Sequence, residues 1–315
     1  MGISPRGCSR PLQRILCDFG LEHSFAQAAA RLQEHYGFSV GSSVVARTTL
    51  RHAAGMAATK PAGAHALPAQ GADWIVAEAD GSFVRIVRTD RRKGPDRRKS
   101  RRVDYREARL CAATAKDATE VFYAATFNGV ETVATPWAHC AKQAGMGLNS
   151  RVHVLADGAP WIDLQARAAF GSQGHLLIDF YHVCEYLAEA AAACSKKPPR
   201  WLQTQKKRLL EGRLGPLFKD LRAHLEPASV PDEQAPVRRA HRYLENRRHA
   251  LAYNQAKAHE LPIGSGLIES AHKHVLQARL KIPGAAWSIE SAEALAQARA
   301  RRANRQWDHY WKAAA

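Results

Sequence analysis

WIVAEADGSFVRIV, residues 74–87, is where the chain stops reading as helix and starts reading as sheet. Its β-branched and aromatic residues mark one long strand or a hairpin, and Asp80 interrupts what would otherwise run on as an apolar strand. Outward from it, RRVDYREARLCAA (101–113) and TEVFYAATF (119–127) read as two more strands. Between the first two lies RTDRRKGPDRRKSRR (88–102), a basic tip with Gly94 and Pro95 at its turn. A helix over about 130–145 follows, then the strand RVHVLADG (151–158), a short helix after Pro160 and the strand HLLIDFYH (175–182). Three meandering strands followed by alternating helix and strand predict a mixed α/β sheet.

The flanks are helical. Ser24 is an N-cap for a helix over 25–36, in which Phe25, Ala28, Ala29, Leu32 and Tyr36 follow a 3.6-residue period. Gly37 breaks it, and a second helix carries Val44, Val45, Arg47, Thr48, Leu50 and Arg51. Two short helices across a glycine turn fit a helix-turn-helix that offers Arg47 and Arg51 to DNA; they fit a helical hairpin packed on the main domain equally well. The expected division is a helical region (1–54), an Ala/Gly/Pro-rich linker (55–72), a sheet core (73–182), a proline-punctuated helical insertion (183–262) and a closing part (263–315) whose last helix spans 290–312.

Among 315 residues, 46 Lys and Arg against 29 Asp and Glu leave a net charge of +17, which calls for an anionic partner, nucleic acid before membrane. No apolar run approaches a membrane span, and Met1–Arg10 lacks a signal-peptide core. The six cysteines are scattered without a C-x-x-C pair, against a zinc ribbon or a secreted disulfide framework. The expectation is a cytoplasmic protein with reduced thiols.

Three acids stand where strands end or helices begin: Asp80, Asp157 after VHVLA, and Glu269 in LPIGSGLIESAHKHVLQARLKIPG (261–284). Each alone has an ordinary explanation, an Asp-Gly turn or a first-turn glutamate stabilised by free N–H groups. Together they are the oxygen donors that phosphodiester chemistry needs to hold Mg²⁺ on either side of a phosphate. Beyond Glu269, Lys273 lies one turn on and shares its side of the helix, Leu276 is placed to pack, and Arg279 and Lys281 continue a basic track suited to a polyanion.

The blocks AEADGSFVRIV, LADGAPWI, LLIDFYHVCEYLAEAA and IGSGLIESAHKHVLQARLKIPGAAWS, in this order over roughly residues 74–290, resemble the signature blocks of the ISKra-type insertion-sequence transposases, relatives of the mutator-like DDE transposases. The resemblance implies an RNase H-like core with a helical insertion before its last catalytic helix. It implies that Asp80, Asp157 and Glu269 form the DDE triad around two Mg²⁺ or Mn²⁺ ions. It further implies double-stranded DNA as partner, both terminal inverted repeats and target, held by a homodimer or larger assembly. Asp179 and His182 match a D-x-x-H element of the group. Asp179 competes with Asp157 for the second metal position, and His182 is open between orienting Asp179, touching the scissile phosphate, transferring a proton and simply ending a strand. Two other readings stand beside the transposase: an RNase H-like nuclease of the junction-resolvase type, and a non-catalytic DNA-binding derivative.

The basic tip is either a solvated loop or a contact to the DNA backbone, and salt dependence separates the two. Each phosphate neutralised releases condensed counterions, so neutralising Arg97, Arg98 and Lys99 should flatten the plot of log affinity against log salt by roughly two to three units. Binding should weaken about equally on every sequence, whereas replacing Arg47 and Arg51 should reduce preference for the element's own ends. An unchanged slope in a fluorescence-anisotropy titration leaves the tip a solvated loop.

Overall fold

The computed structural model describes residues 7–58, 66–89 and 100–313. It opens with α1 (Arg10–Glu22), α2 (Phe25–Tyr36) and α3 (Ser42–Ala58). Ser24 closes a capping box on α2: its Oγ accepts from Gln27 N at 3.2 Å, and Gln27 Oε1 accepts from Ser24 N at 3.4 Å, an arrangement worth about 1 kcal/mol to a helix. Gly37 ends α2 at φ 70°, the left-handed conformation in which a Cβ is strained. α3 runs to Ala58, into the stretch expected to be linker, because Ala53 and Met56 have a core to enter.

Five strands form one mixed sheet in the order β3-β2-β1-β4-β5: β1 (Trp74–Thr89), β2 (Arg101–Ala115), β3 (Phe122–Thr126), β4 (Arg151–Ala156) and β5 (Gly174–Ile178). The first stretch is thus a single long strand, antiparallel to β2 along its whole length, with β3 antiparallel to β2. β4 and β5 run parallel to β1, reached by crossovers through α4 (Ala134–Gln143) and α5 (Pro160–Phe170). Alternation of side chains gives the sheet two faces. Ile75, Ala77, Ala79, Val152 and Val154 pack with Trp137 of α4 and Phe170 of α5.

On the opposite face Val76 and Leu155 meet the helices that follow β5: α6 (Phe180–Cys194), α7 (Pro198–Leu210), α8 (Leu214–Arg222), α9 (Pro236–Asn246) and α10 (Tyr253–Ala258). Further along the same face, Val84, Ile86 and Leu110 pack on the closing segment. That segment is α11 (Gly266–Ala271), a π-helical turn (His272–Gln277), α12 (Ala278–Leu280), α13 (Ile289–Ala303) and α14 (Trp307–Ala313). The helix expected over 290–312 breaks between α13 and α14. There the Asn304 side chain accepts from Tyr123 N at 2.8 Å and donates to Tyr123 O at 2.9 Å, pairing the exposed edge of β3 as a strand would.

Cys17, Leu21, Ala53 and Met56 share a core with Leu295 and Trp311, so the N-terminal helices pack on the main body, as in the hairpin reading. Arg299 joins the two ends of the chain. Buried between them, it donates to Val275 O (2.7 Å) and His274 O in the π-helical turn, and it pairs with Glu22 of α1 at 2.9 Å. The carbonyls that a widened turn leaves without partners are thereby satisfied. All six cysteines are free, and no helix among the described residues is long and apolar enough to cross a membrane.

His52 reports on this joint. Its Nε2 lies 2.9 Å from Gln13 Oε1 and its Nδ1 3.0 Å from Tyr310 Oη, which places the neutral ring as donor to Gln13 and acceptor from Tyr310. Burial, with Arg51 and Arg10 nearby, lowers its pKa from 6.5 to about 4. Between those values the unfolded chain binds the extra proton, so the stability present above pH 6.5 should be lost as pH falls towards 4. Thermal unfolding across this window should show the falling midpoint, and His52→Gln should make it shallower; an identical slope in the variant assigns the loss to other groups.

Candidate active site

β1 and β4 pair in parallel from Trp74↔Arg151 to Glu78↔Leu155. Pairing ends there, so Asp80 lies two residues beyond the last pair within β1, and Asp157 lies just past the end of β4. Asp80 projects on the face that carries the insertion and the closing segment, because Glu78, Asp80 and Val84 alternate with the buried Ala77 and Ala79 of the other face. Asp80 Oδ1 accepts from Gly81 N at 2.7 Å, and Asp157 Oδ1 accepts from Ala159 N at 2.8 Å. In each case a nearby N–H holds one carboxylate oxygen and leaves the other off the local backbone.

Two buried acids fix the start of the helix that carries Glu269. Glu78, 1% exposed, accepts from Ile268 N at 2.7 Å and so ties the start of α11 to β1. Burial pushes its carboxyl up to about 8; the Asp179 and Glu269 charges add to the rise, and the Ile268 N–H opposes it. Asp179 N donates to Ala156 O at 2.7 Å, and Asp179 Oδ1 caps α6 by accepting from Tyr181 N (2.7 Å) and His182 N (3.0 Å). Its Oδ2 accepts from both Ser265 N and Ser265 Oγ at 2.6 Å. With both oxygens occupied and the residue buried, Asp179 secures the entry to α11, while Asp157 faces outward from the turn beyond β4.

Glu269 is exposed, and its carboxylate makes no hydrogen bond or ion pair to another described residue. One turn on, His272 is buried with Nε2 3.3 Å from Asp80 Oδ2, although neither ring nitrogen completes a hydrogen bond. Asp80 and Glu269 thus flank one helical turn. Sequence reading missed both Glu78 and His272. A signal existed for each: Glu78 is an acid two residues before Asp80 in an apolar strand, and His272 follows Glu269 by three.

The other expected residues divide. Lys273 and Lys281 are exposed, as are Arg47 and Arg51 on α3, the latter donating to Gln13 Oε1 at 2.7 Å. Arg279 is corrected: it is 1% exposed, donates to Gly20 O at 2.9 Å and lies between the rings of Phe25 and Trp287, out of reach of a phosphate. Desolvation by this burial, together with the charge of Arg299, lowers its pKa to about 10. Trp287 is likewise core, its Nε1 donating to Leu280 O at 3.0 Å. The His182 ring does not touch the Asp179 carboxylate; Nδ1 faces Glu185 at 3.3 Å, and the ring edges against Tyr186 and Tyr243. Several arginines of the insertion are engaged within the protein: Arg238 and Arg242 with Asp232, Arg239 with Glu189, Arg208 with Asp220, and Arg248 with Glu245. Arg97, Arg98 and Lys99 lie outside the described residues.

Among the described residues no group of three or more His, Cys, Asp or Glu side chains is placed to hold a metal ion. The donor set nevertheless fits hard cations. Asp80 and Asp157 each keep one oxygen off the backbone, Glu269 is unengaged, and Mg²⁺ and Mn²⁺ take carboxylate oxygens while retaining waters.

The model of the Uncharacterised protein family (UPF0236) matches residues 8–309 of the chain. No curated protein matches it significantly.

The two classes of acid should separate in urea denaturation. Asp179→Ala removes a helix cap and strands the Ser265 donors, so it should destabilise the fold by roughly 2–4 kcal/mol. Asp157→Ala loses one local hydrogen bond and should destabilise by about 1 kcal/mol or less. Equal losses would place both acids in one structural class.

Proposed function

The chain belongs to the Uncharacterised protein family (UPF0236), a family commonly associated with insertion sequences, and we propose that it is a metal-dependent DNA transposase that cuts at element ends and joins them to target DNA. One observation supports the reading: Asp80 follows the parallel pairing of β1 with β4, Asp157 follows the end of β4, and the helix that carries Glu269 is tied to β1 through Glu78 and His272. The carboxyl ends of parallel strands are where open α/β sheets place ligands. Three meandering antiparallel strands continued by two parallel ones, with a helical segment before the closing helix, support an RNase H-like core.

Two Mg²⁺ or Mn²⁺ ions held by the three carboxylates would stabilise the attacking and leaving oxygens of an in-line displacement. The chain's own residues set the geometry around them. Gly81 N–H and Ala159 N–H orient the first two carboxylates, while Glu78 and Asp179 fasten the helix that carries the third. Lys273, exposed one turn beyond Glu269, meets a phosphate of the bound strand as a point charge. Water attacks the phosphodiester at the element end, the P–O3′ bond breaks, and a 3′-hydroxyl is released. That hydroxyl attacks a target phosphodiester and displaces the target's 3′ oxygen, with no covalent protein–DNA intermediate. Arg47 and Arg51 of α3 contact the terminal repeats, and a homodimer or larger assembly holds two ends together.

The test uses labelled DNA carrying the sequences that flank the gene. Asp80→Ala, Asp157→Ala and Glu269→Ala should each lower Mg²⁺-dependent cleavage by roughly 10²–10³-fold, as expected for loss of a charge-stabilising group. DNA affinity should stay within about threefold, since a carboxylate contributes no phosphate contact. Near-normal cleavage by any variant removes that residue from the triad. Wild-type cutting of four-way junctions with no preference for the flanking ends would favour the resolvase reading.

A further inference from the structure

The turn that carries Asp157 is gripped by a helix far from it in sequence. Tyr243 of α9 donates its hydroxyl to Asp157 O at 2.5 Å. Arg247, one helical turn on, donates to Gly158 O from Nε (2.9 Å) and Nη2 (2.6 Å). These are backbone contacts, so they fix the path of the turn and leave the carboxylate untouched. The grip is itself braced. The Arg247 guanidinium lies 4.1 Å over the Tyr243 ring, and on its other side Tyr243 stacks on Tyr186 with ring centroids 4.0 Å apart. The fit also explains the residue at 158. Gly158 takes φ +91°, and a Cβ there would sit 2.5 Å from Arg247 Nε and 2.7 Å from Tyr243 Oη.

α9, with Arg247 at its C-cap, belongs to the helical segment between β5 and α11, and its arginines Arg238, Arg239 and Arg242 pair with acids nearby. Arg247 instead spends two donors on a carbonyl of the active-site turn. We propose that Tyr243 and Arg247 are positioning residues for Asp157, so that the helical insertion sets the direction in which the second acid presents its free oxygen. The chain of effect is short: α9 holds the carbonyls of residues 157 and 158, the turn then places Ala159 N–H, and that N–H holds Asp157 Oδ1. Any DNA-induced shift of the insertion is thereby transmitted to the metal-holding edge of the sheet. The proposal rests on the transposase reading for its chemistry and on the observed contacts for its geometry.

The experiment compares full-length wild type with Tyr243→Phe, which keeps the stacked ring and deletes one donor, and with Arg247→Lys, which keeps the charge and loses the fork. Amide hydrogen exchange at Ala159 reports the turn directly. In either variant it should quicken by about tenfold, the equivalent of one lost hydrogen bond. Mn²⁺ affinity, followed by electron paramagnetic resonance on the protein without DNA, should weaken roughly tenfold, as for partners that orient a metal ligand. The Mg²⁺ needed for half-maximal cleavage should rise in step, with the rate at saturating Mg²⁺ largely recovered. A merely structural role would lower the unfolding midpoint and leave these metal dependences where they were. Unchanged exchange at Ala159 and unchanged Mn²⁺ affinity in both variants overturn the proposal. If Tyr243→Phe folds poorly, Arg247→Lys decides by the same two readouts. If the wild type neither binds Mn²⁺ nor cuts DNA, the transposase reading falls, and Ala159 exchange still decides whether α9 holds the turn.

Discussion

A single buried residue, Asp179, fastens together the three segments on which the candidate site depends. Its backbone N–H takes the last carbonyl of β4, one oxygen caps α6, and the other holds both donors of Ser265 at the entrance to α11. A carboxylate can accept about four hydrogen bonds, and this one is close to that limit. Without it, the end of β4, the start of the insertion and the start of the closing helix would have no common anchor. Glu78 makes a second, smaller fastening from β1 to Ile268 N. Buried polar groups of this kind strongly favour one arrangement, since each alternative leaves an unpaired donor or acceptor in a place that water cannot reach.

The candidate site is accordingly built in two tiers. Below lie Glu78 and Asp179, buried and engaged with backbone N–H groups; above lie Asp80, Asp157 and Glu269, more exposed and each with at least one oxygen unclaimed by the backbone. Carboxylates massed in one place repel, and the buried tier answers this differently at its two members. Asp179 is compensated by four donors, whereas Glu78 has its proton affinity raised by burial and by its acidic neighbours. The strong positive charge of the chain is spent partly inside. Arg279 and Arg299 are buried arginines that join the N-terminal helices to the closing segment, so part of the +17 total is architecture and unavailable to a polyanion.

The sequence by itself determined the order and kind of the main elements. The β-branched and aromatic residues around Asp80 announced one long strand or a hairpin, Ser24 and Gly37 bounded a helix, and Pro160 opened another. These signals are local, arising from side-chain period, capping hydrogen bonds and restricted φ, so neighbouring residues suffice to read them. Tertiary structure decided where α3 ends, where the last helix breaks and which basic residues are free. α3 continues because Met56 meets a core, and the last helix stops where Asn304 finds the backbone of Tyr123. Arg279, Lys273 and Lys281 look alike in a basic run, yet only the first is buried, because a side chain's surroundings come from segments far away in sequence. The same holds for the site: that β1 runs beside β4 up to Glu78 and Leu155 depends on strand register, and that the Asp157 turn meets Tyr243 and Arg247 depends on where α9 packs. Neither relation leaves a trace in local propensity, since each is made by hydrogen bonds between residues more than seventy positions apart.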